Sequence, residues 1–154
     1  MSESAEALAA NLKSSRNVTI EITNLTNTYC LIDPNKSSGK ASGAVGVLTY
    51  DLFERHNGSA SEKLAIMFSV PYDNSSYKNW LAIAIYAADK KCDEDLYKEM
   101  YYDKEPTAFV REEAKGCGLT FEGHKLDIKA TMSPLGRSML KVEVWDKLFT
   151  SQKH

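Results

Sequence analysis

No stretch of this 154-residue chain holds the roughly 18 consecutive apolar residues that a bilayer-spanning helix needs. A constitutive transmembrane helix is therefore not expected. The net charge is only −2 and there is no basic block, which argues against a nucleic-acid partner. The N-terminal residues MSESAEALAANLKSSR lack the charged-then-apolar pattern of a secretory signal, so a soluble form without a signal peptide is expected, cytosolic or non-classically secreted. Cysteine is scarce and odd in number. Cys30, Cys92 and Cys117 show neither CxxC nor zinc-ligand spacing and read as free buried thiols. Asn17, Asn24, Asn57 and Asn74 open N-x-S/T triplets, expected to stay unglycosylated without a secretory signal.

Catalytic patterns are missing as well. The histidines, His56, His124 and His154, fall in a loop, a turn and the terminus, where a lone imidazole is usually a surface residue. Ser69 stands in no G-x-S-x-G elbow, and no glycine loop is built to cradle a phosphate. The acidic run Asp93-Glu94-Asp95 is explained by helix capping without a metal. Gly116-Cys117-Gly118 reads as a strand irregularity rather than a reactive thiol site. The chain is not expected to be an enzyme, and no metal or cofactor is implied.

What the sequence does have is concentrated between Leu64 and Tyr102. Two apolar runs, Leu64–Val70 and Trp80–Tyr86, flank a polar loop with Pro71, Tyr72 and Tyr77. A polar turn at Ala87–Lys91 leads to a short helical pattern that Asp93 or Asp95 can cap. On it Leu96 and Met100 share one face, and Tyr97 and Tyr101 the neighbouring one, with Tyr102 beside them. Most of the eight tyrosines lie in this region. A phenol buried in a core needs a partner for its hydroxyl, so such a cluster suits a wet, half-open pocket. Ring faces can hold a quaternary ammonium group by cation–π attraction. The plainer reading is that the rings pack the helix onto a sheet.

The rest of the chain alternates short apolar segments with turn signals. Ser4–Ser14 is a candidate amphipathic helix with Ala5, Leu8, Ala9 and Leu12 on one face and Ser2 or Ser4 as cap. About 12 residues of helix span roughly 18 Å, short of the roughly 30 Å hydrocarbon core. Strands are expected over Val18–Thr23, over Leu25–Ile32 up to a turn at Asp33-Pro34-Asn35, and over Gly43–Leu52 after a Lys36–Ser42 loop. Two glycines in that third strand imply a close neighbour on its backbone. Beyond Pro106, strands are expected at Ala108–Glu112, Gly118–Glu122, Lys125–Met132 and Ser138–Trp145, with turns at Gly123-His124 and Pro134–Gly136. Many short strands at even spacing imply an all-β class and a sandwich, in one domain covering 1–154.

The segments LAIMFSVPYD, then Tyr77, Asn79 and Trp80, then LYKEMYY resemble the actinoporin family of pore-forming cytolysins. Upstream GAVGVL and downstream LDIKATMSPLGRSMLKVEVWD fit the same family, from about Val18 onward. The closer resemblance is to the actinoporin-like (bryoporin-like) proteins of bony fish. It implies an actinoporin-like β-sandwich flanked by two short α-helices: an N-terminal amphipathic segment within 1–16, and a tyrosine-bearing helix at about 93–102. The family usually carries a further strand and a long loop, including a pocket serine, between the regions of Cys30 and Gly43. Here that interval is twelve residues, so an open edge or uncovered apolar surface is expected. Asn74, Ser75, Ser76 and Leu81 stand where the family is often aromatic, and Lys104–Thr107 replaces its frequent Arg-Gly-Asp.

The resemblance implies recognition of phosphocholine headgroups, in phosphatidylcholine or sphingomyelin, by Val45, Ser69, Pro71, Tyr77, Tyr97, Tyr101 and Tyr102. Tyr72 and Trp80 would lie at the membrane interface. A full cytolysin would form a homo-oligomer on the target membrane and insert its N-terminal helix; the plain alternative for that segment is a docked terminus. Two other readings use the same sandwich. One is a lectin-like module binding glycans, the other an interaction protein whose pocket is vestigial.

Overall fold

The computed structural model describes residues 4–39 and 42–147. In chain order its elements are α1 (Ala5–Ala10), β1 (Asn17–Leu25), β2 (Tyr29–Ser38), β3 (Gly43–Glu54), β4 (Ser59–Pro71), β5 (Trp80–Ala87), α2 (Glu94–Tyr102), β6 (Val110–Glu113), β7 (Leu119–Glu122), β8 (Leu126–Met132) and β9 (Arg137–Asp146). The strands form two sheets, ordered β1-β9-β8-β7 and β2-β3-β4-β5-β6. All neighbours run antiparallel except β1 and β9, which are parallel with Asn17 opposite Arg137.

The side chains of β4 explain the layering. Leu64, Ile66, Phe68 and Val70 point between the sheets, into the central core shared with Ile83, Ile128 and Leu140. Ala65 and Met67 point the other way, into a second cluster with Val47, Ala82, Ala84, Leu96 and Met100 beneath α2. A strand buried on both faces reads as a continuous apolar run, whereas the half-solvated β9 alternates. Small alanines on the α2 side of β4 and β5 leave room for a helix to approach.

Several expectations are corrected. The candidate N-terminal helix is only six residues long, capped by the Ser4 hydroxyl, which accepts from the Ala7 amide at 3.1 Å. The alternative cap, Ser2, lies outside the described residues. Of the proposed apolar face only Ala5 is buried; Leu8 and Leu12 are 49% and 38% exposed. Lys141 on β9 pairs with Glu6 at 2.9 Å, and both partners are largely in water. A face made mostly of alanine offers too little apolar area to dock firmly.

Asp33-Pro34-Asn35 is not a turn. The β2 ladder continues through it with a register shift between Ile32 and Asn35, and Asp33 adopts a φ of 51°. β2 is the edge of its sheet, so the missing Pro34 N–H costs no inner ladder bond, and aspartate tolerates the left-handed conformation. The Lys36–Ser42 loop shrinks accordingly: Lys36–Ser38 belong to β2, and Lys40 and Ala41 lie outside the described residues. The break between β1 and β2 falls at Thr26–Thr28 instead, where Asn24 Oδ1 accepts from the Thr26 amide and hydroxyl at 3.1 and 2.7 Å. The thiols are free, but Cys30 and Cys92 are half-buried and Cys117 is exposed. Cys117 sits in the link between β6 and β7, where nothing covers it.

Ile83, without solvent exposure at the centre of β5, tests the packing. Ile83→Ala is expected to lower the unfolding free energy by about 2–5 kcal/mol, read from the urea midpoint at unchanged slope.

Candidate functional site

Helix α2 places the tyrosines. Its start is set by Asp93, whose carboxylate accepts from the Leu96 amide at 2.9 Å, with Glu94 and Asp95 favourably placed in the first turn. Leu96 and Met100 anchor it to the sheet. A clamp holds its middle: the Tyr86 hydroxyl donates to Glu99 at 2.8 Å, and Lys90 pairs with the same carboxylate at 3.0 Å. Burial first, and the Glu99 carboxylate second, push the Tyr86 phenol far up.

The three helix tyrosines then step out of the protein. Tyr97 is 3% exposed, Tyr101 is half-buried and Tyr102 is 63% exposed. Tyr97 and Tyr101 stack with centroids 5.7 Å apart, and Tyr102 meets Tyr101 edge-on at 4.8 Å. Gly39 closes the back of the group, since a Cβ there would come within 2.7 Å of the Tyr97 ring.

The sheet supplies the floor. Ser69 on β4 lies opposite Val45 on β3 and Trp80 on β5. Pro71, two positions further along β4, pairs with Gly43, whose φ of 107° and crowded backbone admit only glycine. The buried Ser69 hydroxyl faces the phenols of both Tyr97 and Tyr101 and favours their ionised forms. Burial outweighs it at both: the Tyr97 phenol is pushed up to about 12, and that of Tyr101 is raised too. Tyr77, 60% exposed, projects from the loop between β4 and β5 near Tyr101. That loop is held by the Asp73 carboxylate, which accepts from Ser75 and Ser76, and by Asn79, which donates to the carbonyls of Ser133 and Leu135 at 3.1 and 2.9 Å.

The fold thus brings Val45, Ser69, Pro71, Tyr77, Tyr97, Tyr101 and Tyr102 to one end of the five-stranded sheet. Of the two expected interface residues, Tyr72 is 65% exposed, with the Arg16 guanidinium 5.9 Å from its ring centroid. Trp80 is half-buried against the α2 cluster. Leu81, at a position often aromatic in the family, lies in the expected strand, points between the sheets and is 2% exposed. His56 and His124 are exposed, and His154 lies outside the described residues.

Sequence reasoning missed Arg111. α2 has no basic residue in its last turn, and Arg111 on β6 supplies the charge, donating to the carbonyls of Met100 and Asp103 at 3.0 and 2.7 Å. Its alternation within the strand was the only hint, since Ala82 opposite it faces the helix. Chemically, the site offers electron-rich ring faces toward solvent and hydroxyls converging below them. That suits a ligand with a diffuse cation and an anionic oxygen.

The family model described as sea anemone cytotoxic protein matches residues 2–145. The chain is 44% identical over 77 residues to DELTA-alicitoxin-Pse1b of Phyllodiscus semoni, covering 49% of this chain and 31% of that protein. It is 34% identical over 118 residues to deep sea actinoporin Cjtox II of Cribrinopsis japonica, covering 74% and 48%. Nigrelysin of Anthopleura nigrescens gives 33% over 118 residues, covering 74% and 49%. The chain therefore spans about half the length of these relatives, or less.

The buried phenol makes a pH prediction. Folding raises the Tyr97 pKa from 10.0 to about 12. The unfolded chain therefore releases this proton first, and the stabilisation, complete below pH 10, is lost as pH rises through that interval. Tyr97→Phe should flatten the fall in unfolding free energy between pH 10 and 12, measured by urea denaturation at each pH.

Proposed function

Because this chain belongs to the actinoporin family, we propose that it binds membranes by recognising phosphocholine headgroups and, once bound, assembles into a pore. The observation that carries this reading is the stepped tyrosine group over Ser69. Tyr101, Tyr102 and Tyr77 present ring faces to the quaternary ammonium. The hydroxyls of Tyr97, Tyr101 and Ser69 donate to the phosphate oxygens. Val45 and Pro71 wall the site on the sheet side. Tyr72 enters the headgroup layer at the tip of its loop, and Trp80 braces the loop from behind. The headgroup is that of phosphatidylcholine or sphingomyelin, and no enzymatic step is involved. Within the family, we read LAIMFSVPYD and LYKEMYY as a resemblance to the bony-fish members.

For pore formation, several copies assemble on the membrane as a single-domain unit and the N-terminal segment leaves the sandwich. Its weak hold favours this: α1 buries only Ala5 and makes one solvent-exposed ion pair. Among the described residues no helix is long and apolar enough to cross a membrane. Any crossing therefore needs a rearrangement of that segment.

Co-sedimentation with vesicles tests the reading, paired with dye release. Phosphatidylcholine vesicles, with and without sphingomyelin, should bind the wild type. Tyr101→Ala should weaken binding roughly tenfold, the range expected for a cation–π and hydroxyl contact. Dye release would add the pore. Binding blocked by a free sugar but not by phosphocholine would replace the reading with a glycan-binding one. Equal binding to vesicles without choline lipids would overturn it.

A further inference from the structure

The two sheets part between the edge strands β1 and β2, leaving a cleft of about 390 Å³. Its walls are side chains that a closed sandwich would bury. Val18 and Ile20 come from β1, Leu48 from β3 and Phe68 from β4, and Leu12 of the α1–β1 linker covers one end. The volume lies within the roughly 300–1,000 Å³ typical of small-molecule sites. The charged residues in the lining are Arg16 and Lys36, with no carboxylate among them. The cleft also adjoins the tyrosine site. Gly39 and Val45 line it, and these same residues back the Tyr97 ring and flank Ser69.

We propose that this cleft is an acyl-chain subsite, taking one aliphatic chain of the choline lipid whose headgroup the tyrosines hold. The proposal rests on the headgroup reading. An aliphatic chain matches walls formed by Val18, Ile20 and Leu48, which are only half-buried, alongside the buried Phe68. The phosphate and ester oxygens pass the mouth, where two cations stand without a competing anion. The subsite makes the ligand a lipid rather than a free headgroup, and it selects for the chain as well as the choline.

The test compares phosphocholine with lysophosphatidylcholines of increasing chain length, each below its micelle concentration, by tryptophan fluorescence and calorimetry. Complete burial of a methylene is worth about fourfold in affinity, from about 0.8 kcal/mol per CH₂, and an open cleft about twofold. Affinity should climb two- to fourfold per methylene and level off once the cleft is full. Leu48→Trp, which fills the cleft, should abolish the climb and leave phosphocholine affinity unchanged. The wild-type series stands even if that variant fails to fold. Phosphocholine binding with no dependence on chain length overturns the subsite and spares the headgroup reading, as does a climb that Leu48→Trp leaves intact. A wild-type dimer that Leu48→Trp dissociates, without chain dependence, makes the cleft an interface between copies and overturns the subsite. Failure of phosphocholine and every lysolipid to bind removes both readings.

Discussion

Leu64 to Pro71 lie buried on both sides of the five-stranded sheet, so two separate layers must cover them. The four-stranded sheet covers one face and α2 the other. Both coverings are needed, because a sheet with two apolar faces left half in water would be a surface for aggregation. The helix layer is shorter than the strand it covers. Leu96 and Met100 seal Ala65 and Met67, but the strand continues to Ser69 and Pro71 beyond them. Polarity enters there: the buried Ser69 lies beneath Tyr97 and Tyr101 rather than beneath Leu96 and Met100. The proposed binding site is in this sense the polar end of a packing interface.

That origin explains why packing and pocket are not rival readings of the tyrosines. Tyr97 is a core residue by burial and is stacked against a ring that is not. Each step outward along the helix exchanges apolar contact for solvent. The hydroxyl of a buried phenol needs a partner, and the Ser69 hydroxyl faces those of both Tyr97 and Tyr101. Arg111 then fixes the helix end from which Tyr101 and Tyr102 project, so the exposed rings rest on a supported backbone.

Much of this was legible in the sequence because it follows local rules. The doubly buried β4 and β5 appear as apolar runs, Asp93 as a cap, and the tyrosines as an i, i+4 pair. The separated motifs identified the family before any coordinates. What was not legible depends on position in the sheet. Asp33-Pro34 has the composition of a turn, and only its place on an edge strand lets it be a bulge. The N-terminal periodicity ran to Leu12, yet alanine-rich faces gain too little from burial to extend the helix beyond Ala10. Arg111 lies in another element from the carbonyls it satisfies, and no spacing rule reaches across that gap.

The parallel pairing of β1 with β9 joins nearly the first strand of the chain to the last. On the ribosome, β2 to β6 can pair with sequential neighbours as they emerge, but β1 has no sheet partner until β9 emerges. Closing so long a loop costs more chain entropy than pairing sequential neighbours. The strand leading out of the N-terminal segment is therefore the last to lock in place. A nascent chain stalled before Arg137 would hold a finished five-stranded sheet and α2 while its N-terminal strand remained unanchored.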